Sequence, residues 1–414
     1  MDSLPKPLVI RWQEYRLRIL LRSHFLGNPF YRGLLLNSNL KYSDLLKFKL
    51  KDLSRLPILN KDTFRDRGIK RCIAQNIPQY RFDIRSTSGS TGEPFRFPTD
   101  RKYWKLANEI FDNVWRGEWL DKKLPRILFI HAVPENNIYP NRLYLSGLDL
   151  YDNLKARDLL KSILEFRADV IHSFPAFYLE LCHRIKESSL FKKPLFKRAV
   201  SSAETLRDAD RNFIEETLGC MVFNMYAIKE FFCVGRECGT RIGFHLNAGS
   251  KIMEILDHED RPVETGKEGN IVLTNLDNEI VPFIRYKTED RGLILKEKCP
   301  CGSNEPLFRI QGRVTPKIWE VGGQKINPFL FYKAFYQKSD HIRQYQVVKT
   351  GPDAITIRVV PAAPQFGTNI LPLLENKVRE ILNSDKIRVA FDVRDKIMPG
   401  PNGKKIDFVD ESNS

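Results

Sequence analysis

The chain has 414 residues, of which 42% are hydrophobic, and it carries 67 lysines and arginines against 51 aspartates and glutamates. This length predicts two or three domains, or one large domain with a small one, and the apolar content excludes global disorder. No apolar run approaches the ~20 residues of a membrane-spanning helix. A secretory signal and a disulfide framework built from the seven cysteines are also not indicated. We therefore expect a cytoplasmic protein without a transmembrane segment.

The first half of the chain alternates predicted helices and strands. Residues 1–60 are predicted to be helical, with apolar residues at helical spacing in Trp12–Arg22, and a proline-marked extended connection follows at residues 56–58. Beyond a Gly/Ser/Thr cluster at 85–94, helices are predicted at residues 104–115, 153–166, 175–187 and 206–218, and strands at 126–130, 169–172 and 197–201. Such alternation indicates a largely parallel α/β sheet.

From about residue 220 short strand patterns dominate. They are predicted at residues 222–226, 252–256, 270–274, 281–286 and 292–295. The last hundred residues predict strands at 344–348 and 354–360, a helix at 370–382 and a strand at 387–393. We therefore expect an α/β protein with a large N-terminal domain over residues 1–312, which includes a β-rich subdomain, and a small mobile α+β domain over residues 313–414.

The net charge of +16 favours an anionic partner, whether nucleic acid, anionic lipid or a nucleotide. Basic residues are mixed with acidic ones, and no run of five or more like charges occurs. This pattern favours a solvated basic surface and a polyanionic small-molecule substrate over a nucleic-acid-binding protein.

The hexapeptide Thr87-Ser88-Gly89-Ser90-Thr91-Gly92 is the most informative motif. Two glycines let the backbone approach an anion, and four hydroxyl groups can donate to phosphate oxygens. Because Glu93 and Pro94 follow, the segment is not a Walker A loop. Taken alone, a loop of this composition is more often a surface linker.

Further short motifs follow in order along the chain, and together with the hexapeptide they carry a family resemblance. The segments are Pro57–Lys61, Asp169–Pro175, Ser201–Glu204, Asn224–Glu230, Pro282–Asp290, Cys299–Gly302 and Gly312-Arg313. The sequence resembles the adenylate-forming ligases, and within them the phenylacetate–coenzyme A ligase branch, including the relatives found in capsular polysaccharide gene clusters.

The resemblance implies a two-step ligase. ATP and a carboxylic acid, of an aryl or arylacetic type, would give acyl-AMP, and the acyl group would pass to a thiol, by default coenzyme A. Transfer to an amine and a non-catalytic scaffold of the same fold are the alternatives. Relatives in this branch commonly pair, so a homodimer is also implied.

The resemblance assigns the nucleotide site. Residues 87–92 would hold the β- and γ-phosphates, Tyr226 would stack on adenine, and Asn224 and the backbone of Ala203 and Glu204 would line the adenine wall. Asp290 would accept from the ribose hydroxyls, with Arg313 beside the ribose or phosphate at the hinge. The lysine that reaches the α-phosphate would be Lys404, which directly follows a glycine in a Pro/Gly-rich loop, with Lys405 as its rival.

Glu230 is the expected Mg²⁺ ligand and, with Lys404, the expected catalytic residue. The sequence departs from the family here, because Ala227 replaces the usual glycine and Lys229 the usual serine or threonine. Ala227 adds a methyl group where the acyl group is expected, and Lys229 puts a cation beside Glu230. Because of both changes, the sequence does not determine which carboxylic acid is the substrate. A degenerate active site, without catalytic activity, is also an open alternative.

Two further groups have candidate roles. Cys299 and Cys301 form a tight knuckle, and Cys238 with His245 can complete a closed, structural Cys₃His zinc site, with Cys233 as the rival fourth ligand. Cys72, Cys182 and Cys220 are expected to be buried thiols. His131 and His172 end predicted strands, where they can line an acyl pocket or be structural imidazoles, and the same alternatives hold for Phe174, Phe177 and Tyr178.

Overall fold

A computed structural model describes most of the chain. The described residues are 4–75, 77–86, 95–103, 125–132, 136–188, 194–313, 319–326, 331, 341–361, 370–384, 386–400 and 406–412. The predicted helix at 104–115 and the hexapeptide at 87–92 lie outside them, as do Lys404 and Lys405.

The described part contains helices α1 Lys6–Gly27, α2 Pro29–Asn37, α3 Tyr42–Leu45, α4 Lys61–Arg67, α5 Asn153–Phe166, α6 Pro175–Glu187, α7 Asp208–Leu218 and α8 Ile370–Leu382. Its strands are β1 Phe82–Ser86, β2 Arg96–Asp100, β3 Ile127–His131, β4 Asn137–Tyr139, β5 Arg142–Ser146, β6 Val170–Ser173, β7 Arg198–Ser202, β8 Val222–Ile228, β9 Phe232–Glu237, β10 Phe244–Leu246, β11 Lys251–Leu256, β12 Gly269–Asn275, β13 Tyr286–Ile294, β14 Leu307–Arg313, β15 Trp319–Val321, β16 Gln324–Ile326, β17 Ile342–Gly351, β18 Ala354–Pro361, β19 Arg388–Val393 and β20 Phe408–Asp410. None of the described helices is both long and apolar enough to cross a bilayer.

The chain forms two compact units. The first unit comprises Met1–Pro125, Val200–Ala203 and Phe223–Val314, and the second comprises Arg126–Ala199, Glu204–Val222 and Thr315–Ser414.

The first unit is built on antiparallel strands. Their order is β11-β12-β13-β14-β10-β9-β8, and each neighbouring pair is antiparallel. The buried side of this unit is rich in aromatic rings, which include Phe64, Phe95, Phe97, Phe231 and Phe283. Helices α1 and α2 pack on the same core. Asn28 ends α1 and caps α2, since its side-chain oxygen accepts from the amides of Phe30 and Tyr31.

The second unit contains the parallel strands. β3 pairs in parallel with both β5 and β6, and the apolar faces of α5, α6 and α7 cover a separate core. The Asp152 carboxylate accepts from the amides of Leu154 and Lys155 and so starts α5.

The C-terminal part of the second unit has its own sheet of order β19-β18-β17-β20, packed with α8 around a third core. This part contacts the rest of its unit through ion pairs. Arg343 lies 2.9 Å from the Glu180 carboxylate, and Arg207 lies 3.0 Å from that of Asp407.

Most predicted elements have close counterparts, and the mixed α/β class is confirmed. The predicted helix bounds at 153–166, 175–187 and 370–382 agree with the structure. The strand predicted at 281–286 is wrong, because β13 begins only at Tyr286. Val281, Phe283 and Ile284 are apolar since they are buried in a turn, and Arg285 has a φ of +47°, which interrupts an extended chain.

Candidate functional site

Tyr226 lies on β8 in the first unit, half-buried among aromatic rings. Phe308 on β14 meets its ring edge-on, with 5.9 Å between the ring centroids, and Phe244 lies 6.4 Å away. Gly235 on β9 is the register partner of Tyr226, and a Cβ atom added there would lie 2.5 Å from the Phe308 ring. Close backbone packing behind Phe308 therefore holds the tyrosine ring in place.

Asp290 is joined to Tyr226 by a hydrogen bond. The Tyr226 hydroxyl donates to Oδ2 of Asp290 over 2.6 Å, and the Asp290 amide donates to the Thr288 hydroxyl. Asp290 is largely buried, and on the neighbouring strand it lies opposite Arg313 in the register of β13 and β14. The Arg313 side chain is outside the described part of the structure. The proposed adenine platform and the proposed ribose ligand are thus adjacent.

Glu230 lies in the turn between β8 and β9 and is only 4% exposed. The Tyr286 hydroxyl donates to its Oε1 over 2.9 Å. Burial raises the pKa of Glu230, and its hydrogen bonds, together with the charge of Lys61, oppose that shift in part. A buried carboxyl of this kind is stabilised by a nearby cation, so its chemistry fits a Mg²⁺ ligand.

The segment Pro57–Lys61, which precedes the hexapeptide, is hydrogen-bonded to the start of β13. The Leu59 amide donates to the carbonyl of Arg285, and the Lys287 amide donates to the carbonyl of Leu59. Lys61 then lies 3.3 Å from the carboxylate of Glu289, whose φ is +67°. Neither Lys61, Glu289 nor Tyr286 was given a role from the sequence, although all three lie within the motifs that carry the resemblance.

A buried ion pair anchors the start of β13. The Arg285 guanidinium makes two hydrogen bonds to the Glu254 carboxylate, at 3.0 and 3.1 Å, and a third to the carbonyl of Leu56. Because β13 also carries Tyr286 and Asp290, this pair fixes the strand that holds both side chains.

Asn224 and Tyr226 are two positions apart on β8, so their side chains lie on the same face of the strand. The Asn224 side-chain oxygen accepts from the Met225 amide, and its backbone amide donates to Glu237. In this conformation the Asn224 oxygen already has a local donor.

Ala203 and Glu204 fall at a break between the two units. Ala203 ends the short segment assigned to the first unit and has a φ of +69°, in the left-handed region. Glu204 belongs to the second unit, where its carboxylate accepts from the Ala176 amide in the first turn of α6.

The residues that depart from the family pattern are close to Glu230 in the chain, and Ala227 is half-buried while Lys229 is exposed. Burial lowers the pKa of Lys229, and Arg85 adds to this effect, while the Glu230 carboxylate opposes it. Lys229 therefore belongs to a cluster of charges that includes both signs.

Four metal-binding side chains converge in the first unit. One ligand atom from each of Cys238, His245, Cys299 and Cys301 lies within 4.8 Å of the other three. The rival ligand Cys233 is not part of this cluster, and its thiol lies near the carbonyl of Gly235. The donor set of three sulfurs and one imidazole fits a closed tetrahedral zinc site. Among the other cysteines, Cys72 and Cys182 are buried and Cys220 is half-buried.

His131 and His172 meet in the second unit at the ends of the parallel strands β3 and β6. Their ring centroids are 4.9 Å apart, and the His131 ring stacks on Phe174 at 4.8 Å. Burial lowers the pKa of His131 to about 4, and burial together with the neighbouring His131 lowers the pKa of His172 well below its ordinary value. Both imidazoles are therefore neutral at physiological pH. Phe177 and Tyr178 are fully buried in the core, which favours the packing alternative for these two residues.

No protein-family model matches the chain. A protein named phenylacetate-coenzyme A ligase from Thermus thermophilus is 25% identical over 96% of this chain and 92% of its own length. A second protein of that name, from Pseudomonas putida, is 26% identical over 76% of this chain and 72% of its own length.

A crystal structure of 2-hydroxyisobutyryl-CoA ligase, in complex with 2-HIB-AMP in the postadenylation state, has a similar fold. The TM-score is 0.78 at 19% identity, covering 99% of this chain and 91% of that one. The chain is therefore similar over nearly its whole length to a protein named phenylacetate-coenzyme A ligase, and it shares the fold of a ligase crystallised with an acyl-AMP.

Proposed function

We propose that the protein is an ATP-dependent ligase that activates a carboxylic acid as acyl-AMP and transfers the acyl group to a thiol, by default coenzyme A. The observation that carries this proposal is the hydrogen bond between Tyr226 and Asp290, since it puts a flat aromatic face beside a buried carboxylate. A purine needs the first group and a ribose the second. The similarity to named ligases along the whole chain supports the same chemistry.

The remaining residues of the site have proposed roles in the first step. Glu230 would hold Mg²⁺, which lowers the repulsion between the phosphates and the incoming acid. Residues 87–92 would restrain the β- and γ-phosphates, with Asn224, Ala203 and Glu204 along the adenine. Lys404 would neutralise charge at the α-phosphate, and Arg313 would act at the hinge of a C-terminal domain over residues 313–414.

Two further features of the reaction are the identity of the carboxylic acid and the identity of the acyl acceptor. An aryl or arylacetic acid follows from the relatives. Ala227 and Lys229 support a reshaped pocket, and an amine acceptor is the alternative to coenzyme A. We further propose that the protein belongs to the branch associated with capsular polysaccharide gene clusters and that it is cytoplasmic. We also propose that it forms a homodimer, and sedimentation analysis is the test of this oligomeric state.

ATP–pyrophosphate exchange with a panel of carboxylic acids tests the first step. We expect exchange with at least one acid, and Asp290→Asn should reduce it about tenfold to a hundredfold at low ATP, because hydrogen bonds to a charged group are lost. Asp158→Asn, on the exposed face of α5, is the matched control. Failure of every acid to support exchange would instead favour the scaffold.

Two further experiments separate the open alternatives. Lys404→Ala should lower exchange about a hundredfold while Lys405→Ala has little effect, and the reverse result would assign the role to Lys405. Release of AMP with coenzyme A, compared with candidate amines, identifies the acceptor.

We also propose that Cys238, His245, Cys299 and Cys301 bind a structural zinc ion. The convergence of four suitable donors from three separate chain segments supports this proposal. The ion would fasten β10 and the end of β9 to the knuckle that precedes β14, and so would stabilise the strands behind Tyr226.

A further inference from the structure

The outer face of helix α1 carries a stripe of exposed apolar side chains. Leu8, Trp12, Tyr15, Ile19 and Leu26 are between 37% and 68% exposed. At 100° per residue these five positions fall within an arc of about 60°, so they form one continuous row along the helix. We call this row the α1 stripe.

The α1 stripe is distinct from the face that fastens the helix to its unit. Leu17, Leu20 and Leu21 are buried on the opposite side, and the Gln13 side chain donates to the carbonyls of Ala248 and Lys251. The Trp12 indole N–H donates to the carbonyl of Gly249 and so fixes the ring at the edge of the stripe. The helix is therefore anchored by its opposite face and by the Trp12 indole, while the apolar side chains of the other stripe residues are exposed.

Positive charge is concentrated in the part of the chain that contains α1. Residues 6–51 hold ten basic residues and only two acidic ones, a net charge of +8, which is half of the +16 of the whole chain. The basic residues are Lys6, Arg11, Arg16, Arg18, Arg22, Arg32, Lys41, Lys47, Lys49 and Lys51. On α1, Arg11 and Arg22 lie along one border of the stripe and Arg16 along the other. Arg22 is held in place by a hydrogen bond to the Tyr42 hydroxyl, and Arg16 by one to the Leu276 carbonyl.

We propose that the α1 stripe docks on an anionic lipid bilayer. Apolar and aromatic side chains bordered by arginines match the two layers of such a surface, because the apolar groups enter the acyl boundary while the arginines meet the headgroup phosphates. Tryptophan and tyrosine are the aromatic residues that prefer this interface. The proposal concerns α1 alone and does not depend on the nucleotide chemistry.

Charge complementarity favours this occupant over the others. A second copy would bring the same basic border against itself, and Glu14, the acidic residue of α1, lies away from the stripe and within 3.8 Å of Arg18. Nucleic acid would match the charge, and its bases stack on aromatic rings such as those of Trp12 and Tyr15, but it offers little to the aliphatic side chains of Leu8, Ile19 and Leu26.

Co-flotation of the full chain with vesicles tests the proposal. We expect binding to equimolar phosphatidylglycerol and phosphatidylcholine, and no binding to phosphatidylcholine alone. The double variant Tyr15→Ser with Ile19→Ser should reduce the partition coefficient at least about tenfold, because two apolar side chains no longer leave water. Arg11→Gln with Arg22→Gln should reduce it by about fivefold for each charge removed, and added salt should weaken wild-type binding.

Matched controls keep the outcome interpretable. Ile138→Ser with Leu154→Ser removes two exposed apolar side chains elsewhere, and Arg157→Gln with Lys161→Gln removes two exposed charges from α5. Both controls should bind like wild type, and circular dichroism should show every variant folded. Absence of binding to anionic vesicles, or equal loss in variants and controls, overturns the proposal. Stripe-dependent self-association or RNA binding in place of vesicle binding would also overturn it and would name the other occupant.

Discussion

The hydroxyl of Tyr226 lies 2.6 Å from Oδ2 of Asp290, although β8 and β13 are separated in their sheet by β9, β10 and β14. The antiparallel strands of the first unit must therefore curl until these two side chains meet. Phe244 and Phe308, from two of the intervening strands, pack beside the tyrosine ring on the inside of that curl.

Two substitutions of Tyr226 separate its ring from its hydroxyl. Tyr226→Phe keeps the flat face but removes a donor from a buried carboxylate, so the free energy of unfolding should fall by about 1–3 kcal/mol while ATP affinity changes little. Tyr226→Ala should weaken ATP binding about tenfold or more, because base stacking is lost. Calorimetric titration with ATP and urea unfolding measure the two effects, and equal ATP affinity in the alanine variant would contradict the adenine assignment.

Glu230→Gln should make the protein more stable and less active. Since burial raises the folded-state pKa of Glu230 above its unfolded value, its stabilising contribution is fully present below the unfolded pKa and is lost as the pH rises through the folded one. The neutral amide avoids this loss, so the variant should be the more stable protein at neutral pH. Thermal unfolding midpoints should therefore differ at pH 7 and converge towards acidic pH.

Activity supplies the second measurement for this variant. Exchange in the presence of Mg²⁺ should fall by about a hundredfold in Glu230→Gln. Glu165→Gln, at an exposed position of α5, should change neither stability nor activity. A variant with full activity would show that Glu230 does not hold the metal.

The buried ion pair at the start of β13 and a surface pair further along the same strand should differ in strength. Glu254→Ala leaves Arg285 charged and buried, so it should reduce the free energy of unfolding by about 3–5 kcal/mol. Glu268→Ala removes the exposed partner of Arg291, at 4.0 Å, and should cost less than about 1 kcal/mol. Urea unfolding of both variants checks the contrast, and similar losses would argue against an anchoring role for Arg285.

The proposed zinc site predicts a metal content that depends on its cysteines. Wild-type protein should contain one zinc ion per chain, and Cys301→Ser should lose it and unfold at a lower temperature, with a loss of at least about 2 kcal/mol. Cys220→Ser, a half-buried thiol outside the cluster, should keep the metal. Mass-spectrometric metal analysis decides the matter, and metal-free protein of unchanged stability would count against the site.

Local sequence signals predicted helices better than they predicted the turns of the first unit. The apolar spacing of α5, α6 and α8 identified their bounds, because each helix has one face towards a core. The apolar residues at 281–284 are buried in a turn that is specified by long-range contacts, including the bond from the Arg285 amide to the Thr274 hydroxyl. No local pattern distinguishes such a turn from a buried strand.

The candidate site shows the same division. Tyr226, Glu230, Asp290 and the four proposed zinc ligands are predicted from the sequence and its family resemblance, and their mutual distances come only from the fold. The partners Tyr286, Lys61 and Glu289 were not predicted, because a residue that orients another has no chemical pattern of its own. The α1 stripe has no signature in the overall composition, because half of the net charge lies in residues 6–51 and the whole-chain value does not show where it is.

Gly235 sets a practical boundary for engineering this protein. A single methyl group at that position would displace Phe308, and the displacement would reach Tyr226 directly. Mutant libraries that aim to change the accepted acid should therefore vary positions such as 227 and 229 and keep Gly235. Substitutions at residue 235 would mainly give variants in which Phe308 and Tyr226 are displaced.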